Sequence, residues 1–166
     1  MPASSHGWPP ASIRQRQTDH RALEDAVRQL STVNDLVERS LVRYLVVRSA
    51  GLLESVRDDA ASLYCQRVGP TRLHRRVATG LGTGLGVHPK QLLDFVGSFD
   101  GTWRENLQTL LEEDDGRRSN ELGALVNARK KIAHGDGDQV TTRKALQWSE
   151  TASELAQWLV DCFDPT

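Results

Sequence analysis

The sequence predicts an all-α protein, an up-down bundle of four principal helices with a small helical insertion near residues 70–100. Three observations predict it. Apolar residues recur at spacings of three and four from about residue 18 almost to the end of the chain. No segment alternates apolar and polar residues as a half-exposed strand does. Glycines, prolines and short polar runs interrupt the apolar pattern at helix-length intervals. The 166 residues suffice for one hydrophobic core, and no internal repeat is visible.

Residues 1–18 are rich in Pro, Ser and Gln and show no apolar period. They read as a disordered arm ahead of a helical domain over 19–166, with Trp8 a stray aromatic in the tail. Leu23, Ala26, Val27, Leu30, Val33 and Val37 then mark a first helix, with Thr18 or Asp19 placed to cap it. Leu41, Tyr44, Leu45, Leu52, Val56 and Leu63 mark a second, longer one. Val42, Val46, Leu53 and Tyr64 widen its stripe, which suggests a central helix covered on most sides. The boundary between the two falls somewhere in 34–40, and Gly69-Pro70 ends the second. Gly80, Gly82, Gly84 and Gly86 read as a connection, because Gly-x-Gly-x-x-Gly is met in no register and no Gly-Lys-Ser/Thr follows. Residues 91–99 form a short apolar helix. Trp103, Leu107, Leu110 and Leu111 begin another, and the polar stretch 112–119 is a turn. Residues 120–134 are helical again. Ala145, Trp148, Ala152, Leu155 and Leu159 form the last helix, started by Thr141 or Thr142 and stopped by Asp164-Pro165.

Composition removes several function classes. The formal charge of −1 excludes a globally basic nucleic-acid coat, while 38% hydrophobic and 26% charged residues match an ordinary folded protein. A local patch survives: Arg67, Arg72, Arg75, Arg76 and Lys90 stand in 66–90 without an acid, as a solvated loop or a phosphate-facing surface. Cys65 and Cys162 form no CxxC pair and the histidines show no ligand spacing, which argues against structural zinc and a disulfide framework and for a reducing, cytoplasmic compartment. The most apolar run, 41–53, carries Arg43 and Arg48 and is too short to span a bilayer, and the N-terminus lacks a secretory pattern. Neither a membrane role nor a cofactor is expected.

The unusual chemistry lies in the helix 120–134. With Leu122 set at 0°, Leu125 falls at about 300°, Ile132 at about 280°, Val126 at about 40° and Ala133 at about 20°. Arg129 falls at about 340°, amid these apolar residues. A guanidinium there must snorkel, pair with an acid or line a cleft. His134 closes the helix, with Gly135 as a left-handed cap; its Cα lies about 7.5 Å along the axis from that of Arg129. Asn127 shares its side of the helix, and Lys130 and Lys131 flank it. Taken singly, the His is an ordinary end residue and the Arg an interior ion-pair partner. Their convergence at one helix end is what stands out.

The string Leu125-Val-Asn-Ala-Arg129-Lys-Lys-Ile-Ala-His134-Gly135 resembles the HEPN domain family, closest to its RiboL-PSP-like branch, where an Arg-Asn…Ile-Ala-His-Gly string is typical. The resemblance covers most of the chain after the tail. It implies a metal-independent endoribonuclease with a toxin or phage-defence role, acting as a homodimer whose two copies of Arg129 and His134 form one composite cleft. It also implies a polar or acidic residue on the second helix facing the motif, for which Glu54 is the candidate. Two positions depart from the family. Lys130 stands where an Asn commonly follows the motif Arg, and Asp136 stands where the branch adenylylated by a partner nucleotidyltransferase carries a Tyr. Asn127 and Lys130 are thus supporting candidates, and Lys131, Arg72, Arg75 and Arg76 are candidates for holding the RNA strand.

The residue types suit that chemistry. Cleaving RNA through its own 2′-hydroxyl needs a base, an acid and cations for the crowded phosphate. Arg offers a planar fork for phosphate oxygens. One His fills one proton-transfer role, and a twofold dimer supplies the second. A rival reading is a non-catalytic HEPN module that binds RNA or nucleotide, or docks onto an antitoxin or defence-system partner; a purely structural dimerisation domain is a third. Among other residues, Arg48 reads as a buried partner of Glu54 or Asp58. Trp103, Trp148 and Trp158 read as core or interface residues, and His20, His74 and His88 as surface positions.

Overall fold

The structure is a computed structural model that describes residues 7–30, 34–69, 86–136 and 140–165. Five helical elements and no strand occur among the described residues: α1 (Ala11–Arg28), α2 (Asp35–Val68), α3 (Pro89–Gly97), α4 (Gly101–Ala133) and α5 (Thr142–Cys162). None is long and apolar enough to cross a membrane.

The expected arm is a helix from Ala11 onward. Its N-cap is Pro10, not Thr18 or Asp19. Ile13, His20, Glu24 and Val27 are buried along one side. That side was not legible because only two of those four side chains are apolar, so the apolar count starts too late. Trp8 is docked as well: its indole N–H donates to the Val160 carbonyl at 2.8 Å, and the Arg67 guanidinium lies 5.6 Å from its ring centre.

Helix α2 begins at Asp35, capped by the Asn34 side chain accepting from the Leu36 N–H at 2.9 Å. Val37 therefore belongs to α2 and not to the first helix. The helix packs against α1, α4 and α5, most extensively against α5. Leu45, Val46, Leu53, Val56 and Ala60 are fully buried on it. Cover is incomplete near its start, where Leu36, Val37 and Tyr44 are 67%, 50% and 52% exposed.

The short helix α3 packs on α4. His88 caps it: its side chain meets the backbone of Gln91, and the Gln91 side chain accepts from the His88 N–H at 3.2 Å. Arg57 of α2, only 1% exposed, holds the chain entering α3 by donating to the Gly86 carbonyl at 2.9 Å. It also lies 5.3 Å from the Phe95 ring centre and donates to Asp58 at 2.7 Å. The expected insertion is thus present as α3, while Arg72, Arg75, Arg76, His74 and most of the glycine alternation lie outside the described residues.

The polar turn expected at 112–119 appears as a break within α4. Asp114, Asp115 and Gly116 take positive φ of 54°, 56° and 72°, a conformation that Asp and Gly tolerate better than other residues. Arg118 bridges the break, donating to Glu113 at 3.2 Å and to Glu154 of α5 at 2.8 Å. The expected cap of α5 is present: Thr141 accepts from the Lys144 N–H at 3.3 Å. Beyond α5, Phe163 is fully buried with ring centres of Phe99, Trp103 and Tyr64 at 5.1, 5.3 and 5.7 Å. This aromatic knot ties the chain end to α2, α3 and α4. Trp103, Trp148 and Trp158 are half-buried against the core.

Candidate functional site

The second half of α4 buries Leu122, Leu125 and Ala128, with Ile132 half-buried, while Ala133 is exposed. The buried face is therefore rotated away from Val126 and Ala133 and centred near Leu125. Arg129 lies at its margin, not in its middle, with 40% of its side chain exposed. The helix resolves the problem of the guanidinium by pairing it: Nη1 donates to Oε1 of Glu54 at 2.6 Å. Glu54 stands on α2 and is 24% exposed. The sequence-level candidate from the second helix and the motif Arg thus meet directly. No other hydrogen bond or ion pair of Arg129 occurs among the described residues, so its remaining N–H donors can serve a ligand on the open side.

His134 ends the helix as its C-cap, and Gly135 follows at φ 76°, as expected. The imidazole is exposed. Its backbone N–H donates to the carbonyls of Lys130 and Lys131 at 3.2 and 3.1 Å, completing the last turn. Asn127, Lys130 and Lys131 are exposed, with no side-chain partner among the described residues. Since five residues turn the helix by about 140°, Arg129 and His134 share a helix end but not a face. Arg129 reaches α2 through Glu54, while His134 is exposed at the helix end. At the far start of α2, about 24 Å along that helix from Glu54, Thr142 of α5 donates to Glu38 at 2.8 Å, bringing the start of α5, with exposed Arg143 and Lys144, to the start of α2. The end of α4 thus carries exposed Lys130 and Lys131, an exposed imidazole and one partly exposed Arg–Glu pair.

Arg48 departs from expectation. It is exposed, because its position on α2 turns away from the packed face. Glu54 and Asp58, its expected partners, are taken by Arg129 and Arg57.

A second polar cluster had no sequence-level signal beyond the i, i+4 spacing of His20 and Glu24. His20, expected at the surface, is 3% exposed. Its Nε2 lies 3.0 Å from Ser49 Oγ and 3.3 Å from Ser149 Oγ, and its Nδ1 lies 3.3 Å from Ser153 Oγ. Ser149 Oγ donates to Glu24 Oε1 at 2.5 Å, and Ser49 Oγ donates to the Leu45 carbonyl at 2.7 Å. Burial, helped by Arg48, lowers the pKa of His20 from 6.5 to about 4, outweighing the Glu24 carboxylate 3.9 Å from Nδ1. The imidazole is thus neutral at pH 7 and locks α1, α2 and α5 together. Of this cluster only Ser153 reaches a surface hollow, of about 200 Å³, shared with Gln17, Arg21, Leu52 and Gln157.

Burial also raises the Cys162 thiol to about 12, with the Asp100 carboxylate adding to the effect, and raises the buried Cys65 thiol. Neither is a reactive nucleophile. Among the described residues no group of three or more His, Cys, Asp or Glu side chains is arranged to hold a metal ion. No family model matches the chain, and no curated protein or solved structure matches it either.

Proposed function

We propose that the protein is a metal-independent endoribonuclease of HEPN type, with its helices in the up-down HEPN arrangement. It acts in the cytoplasm in a toxin or phage-defence role and assembles as a homodimer through the motif-bearing half of α4. The observation that carries the reading is the Glu54–Arg129 pair at 2.6 Å, which holds a partly exposed guanidinium five residues before an exposed terminal imidazole. Glu54 would position Arg129, and Arg129 would grip a phosphate with its outward donors. In a twofold dimer, one His134 takes the proton of the ribose 2′-hydroxyl. The 2′-oxygen attacks phosphorus, the bond to the 5′-oxygen breaks, and the other His134 protonates that oxygen. The products are a 2′,3′-cyclic phosphate and a 5′-hydroxyl. Lys130 and Lys131 add positive charge for the strand.

The test is RNA cleavage in EDTA by the parent chain, His134→Ala and Arg129→Ala, with the new ends identified chemically. Cyclic-phosphate ends from the parent and none from either variant are expected. Equal activity in all three overturns the proposal. The same substitution, His134→Ala, is expected to relieve growth arrest on expression.

A second reading is favoured by the engagement of Arg129 by Glu54 together with Lys130 in place of Asn. Here the chain is a non-catalytic HEPN module that binds RNA or nucleotide, or docks on an antitoxin or defence-system protein. Retained RNA binding without cleavage or growth arrest would select it.

A further inference from the structure

The first half of α2 carries a surface that the bundle leaves open. With Leu36 at 0°, the residues Val37, Ser40, Arg43, Tyr44, Val47, Arg48 and Gly51 fall between about −20° and 120° of the helix circumference. They form one continuous stripe about 22 Å long. Leu36, Val37 and Tyr44 are each at least half exposed, Arg43 and Arg48 are exposed, and a Cβ at Gly51 would meet nothing within 4 Å. Large apolar side chains exposed together on one helix face mark a contact surface more often than isolated ones do.

Its charge is one-sided. The stripe holds no acid. Arg43 and Arg48 have no carboxylate partner among the described residues, as is also true of Arg14, Arg21, Arg39 and Arg143, whereas Arg16, Arg28, Arg57, Arg104, Arg117, Arg118 and Arg129 each have one. Two acids border the stripe: Asp35, exposed beside Leu36 and about 100° round the helix from it, and Glu54, one turn beyond Gly51 and already held by Arg129. Pairing two copies through this stripe would set arginines against a surface without acids, which is repulsive. RNA would satisfy the cations but would leave Leu36, Val37 and Tyr44 against a polar sugar-phosphate strand.

We infer that this stripe is a docking face for an amphipathic helical segment of a partner protein whose polar face is acidic. Apolar side chains of the segment at i, i+3 and i+4 cover Leu36, Val37, Tyr44 and Val47, and its flanking carboxylates reach Arg43 and Arg48. The small residues Ser40 and Gly51 let the segment approach closely. This interaction does not depend on the nuclease reading.

The test uses the full chain and a fluorescein-labelled peptide of about 20 residues, with leucines at helical spacing and glutamates elsewhere. Fluorescence anisotropy is expected to show saturable binding that weakens several-fold at high salt. The Arg43→Glu/Arg48→Glu pair is expected to weaken it at least about tenfold, and Tyr44→Ser about five- to tenfold. The milder Arg43→Gln/Arg48→Gln pair, with an unchanged thermal melt, covers a failure of the first pair to fold. Replacing the glutamates of the peptide by lysines abolishes binding. His134→Ala leaves it unchanged, which keeps this result distinct from the nuclease test. Four outcomes overturn the inference: no saturable binding, indifference to the substitutions, displacement of the peptide by single-stranded RNA or anionic vesicles, and a parent dimer that Val37→Asp converts to monomer.

Discussion

Two polar clusters of similar composition meet opposite fates in this molecule. His20, Glu24, Ser49 and Ser149 are sealed between α1, α2 and α5, whereas Glu54, Arg129 and His134 stand at the open end of α4. Each sets a carboxylate against a nitrogen-bearing side chain, His20 in one and Arg129 in the other. In the sealed cluster the imidazole is surrounded by hydroxyls and held neutral, so it gives up its acid-base chemistry and serves as a hydrogen-bonded spacer. In the open cluster the imidazole is exposed, and the guanidinium is 40% exposed with one carboxylate partner. A His and a Glu near one another say little about chemistry until solvent access is known.

The comparison can be broken most sharply at His134. His134→Ala is expected to lower RNA cleavage by about 10²- to 10⁴-fold, the range of a lost acid-base group. Unfolding stability should move by no more than about 0.5 kcal/mol, as for an exposed residue. A large loss of stability, measured by urea unfolding, would place His134 with the structural cluster instead. The sealed cluster should behave in the opposite way. Glu24→Ala is expected to destabilise the fold by about 1–3 kcal/mol, because Ser149 loses its buried acceptor. Cleavage by the molecules that remain folded should be unchanged.

Acid should single out the same cluster. The pKa of His20 falls from 6.5 to about 4 on folding. Between those values the unfolded chain binds more protons, so the stabilisation is complete above pH 6.5 and is lost as the pH falls toward 4. The loss is on the order of 3 kcal/mol. Urea unfolding from pH 7 to 4 with the parent and His20→Gln tests it: the variant should show a flatter profile across that window. Glu54→Gln is expected to change stability by less than about 1 kcal/mol, since the pair is partly solvated. It should lower cleavage while leaving the thermal melt in place. The smallest effect concerns Cys162, whose thiol, raised to about 12, should react with a disulfide reagent at pH 8 far more slowly than a free model thiol.

The expectations that held rest on strong local signals. The all-α class, the last helix and its Thr141 cap, the turn near residue 116 and the Gly135 cap were readable from spacing and from residues with particular backbone tastes. Residues 11–18 were misread because α1 buries His20 and Glu24, polar residues that an apolar count passes over. Arg57 was missed for a related reason, since its burial depends on Phe95, Asp58 and the Gly86 carbonyl brought from elsewhere in the fold. Glu54 was named through a family resemblance as the second-helix residue facing the motif; its carboxylate accepts from Arg129 at 2.6 Å. No periodicity argument would have chosen it over Asp58.

Local order along the chain thus settled that helices form, where the last ones end, and that a cation and an imidazole share the last turns of α4. Rotation of each helix about its axis was settled by packing. It moved Arg129 from the centre of an apolar stripe to a half-open margin, and it buried His20 while leaving Arg48 and Tyr44 in water. The physical reason is that helix formation depends on neighbours a few residues away, whereas burial, and with it the charge state and reach of a side chain, depends on surfaces supplied by distant segments.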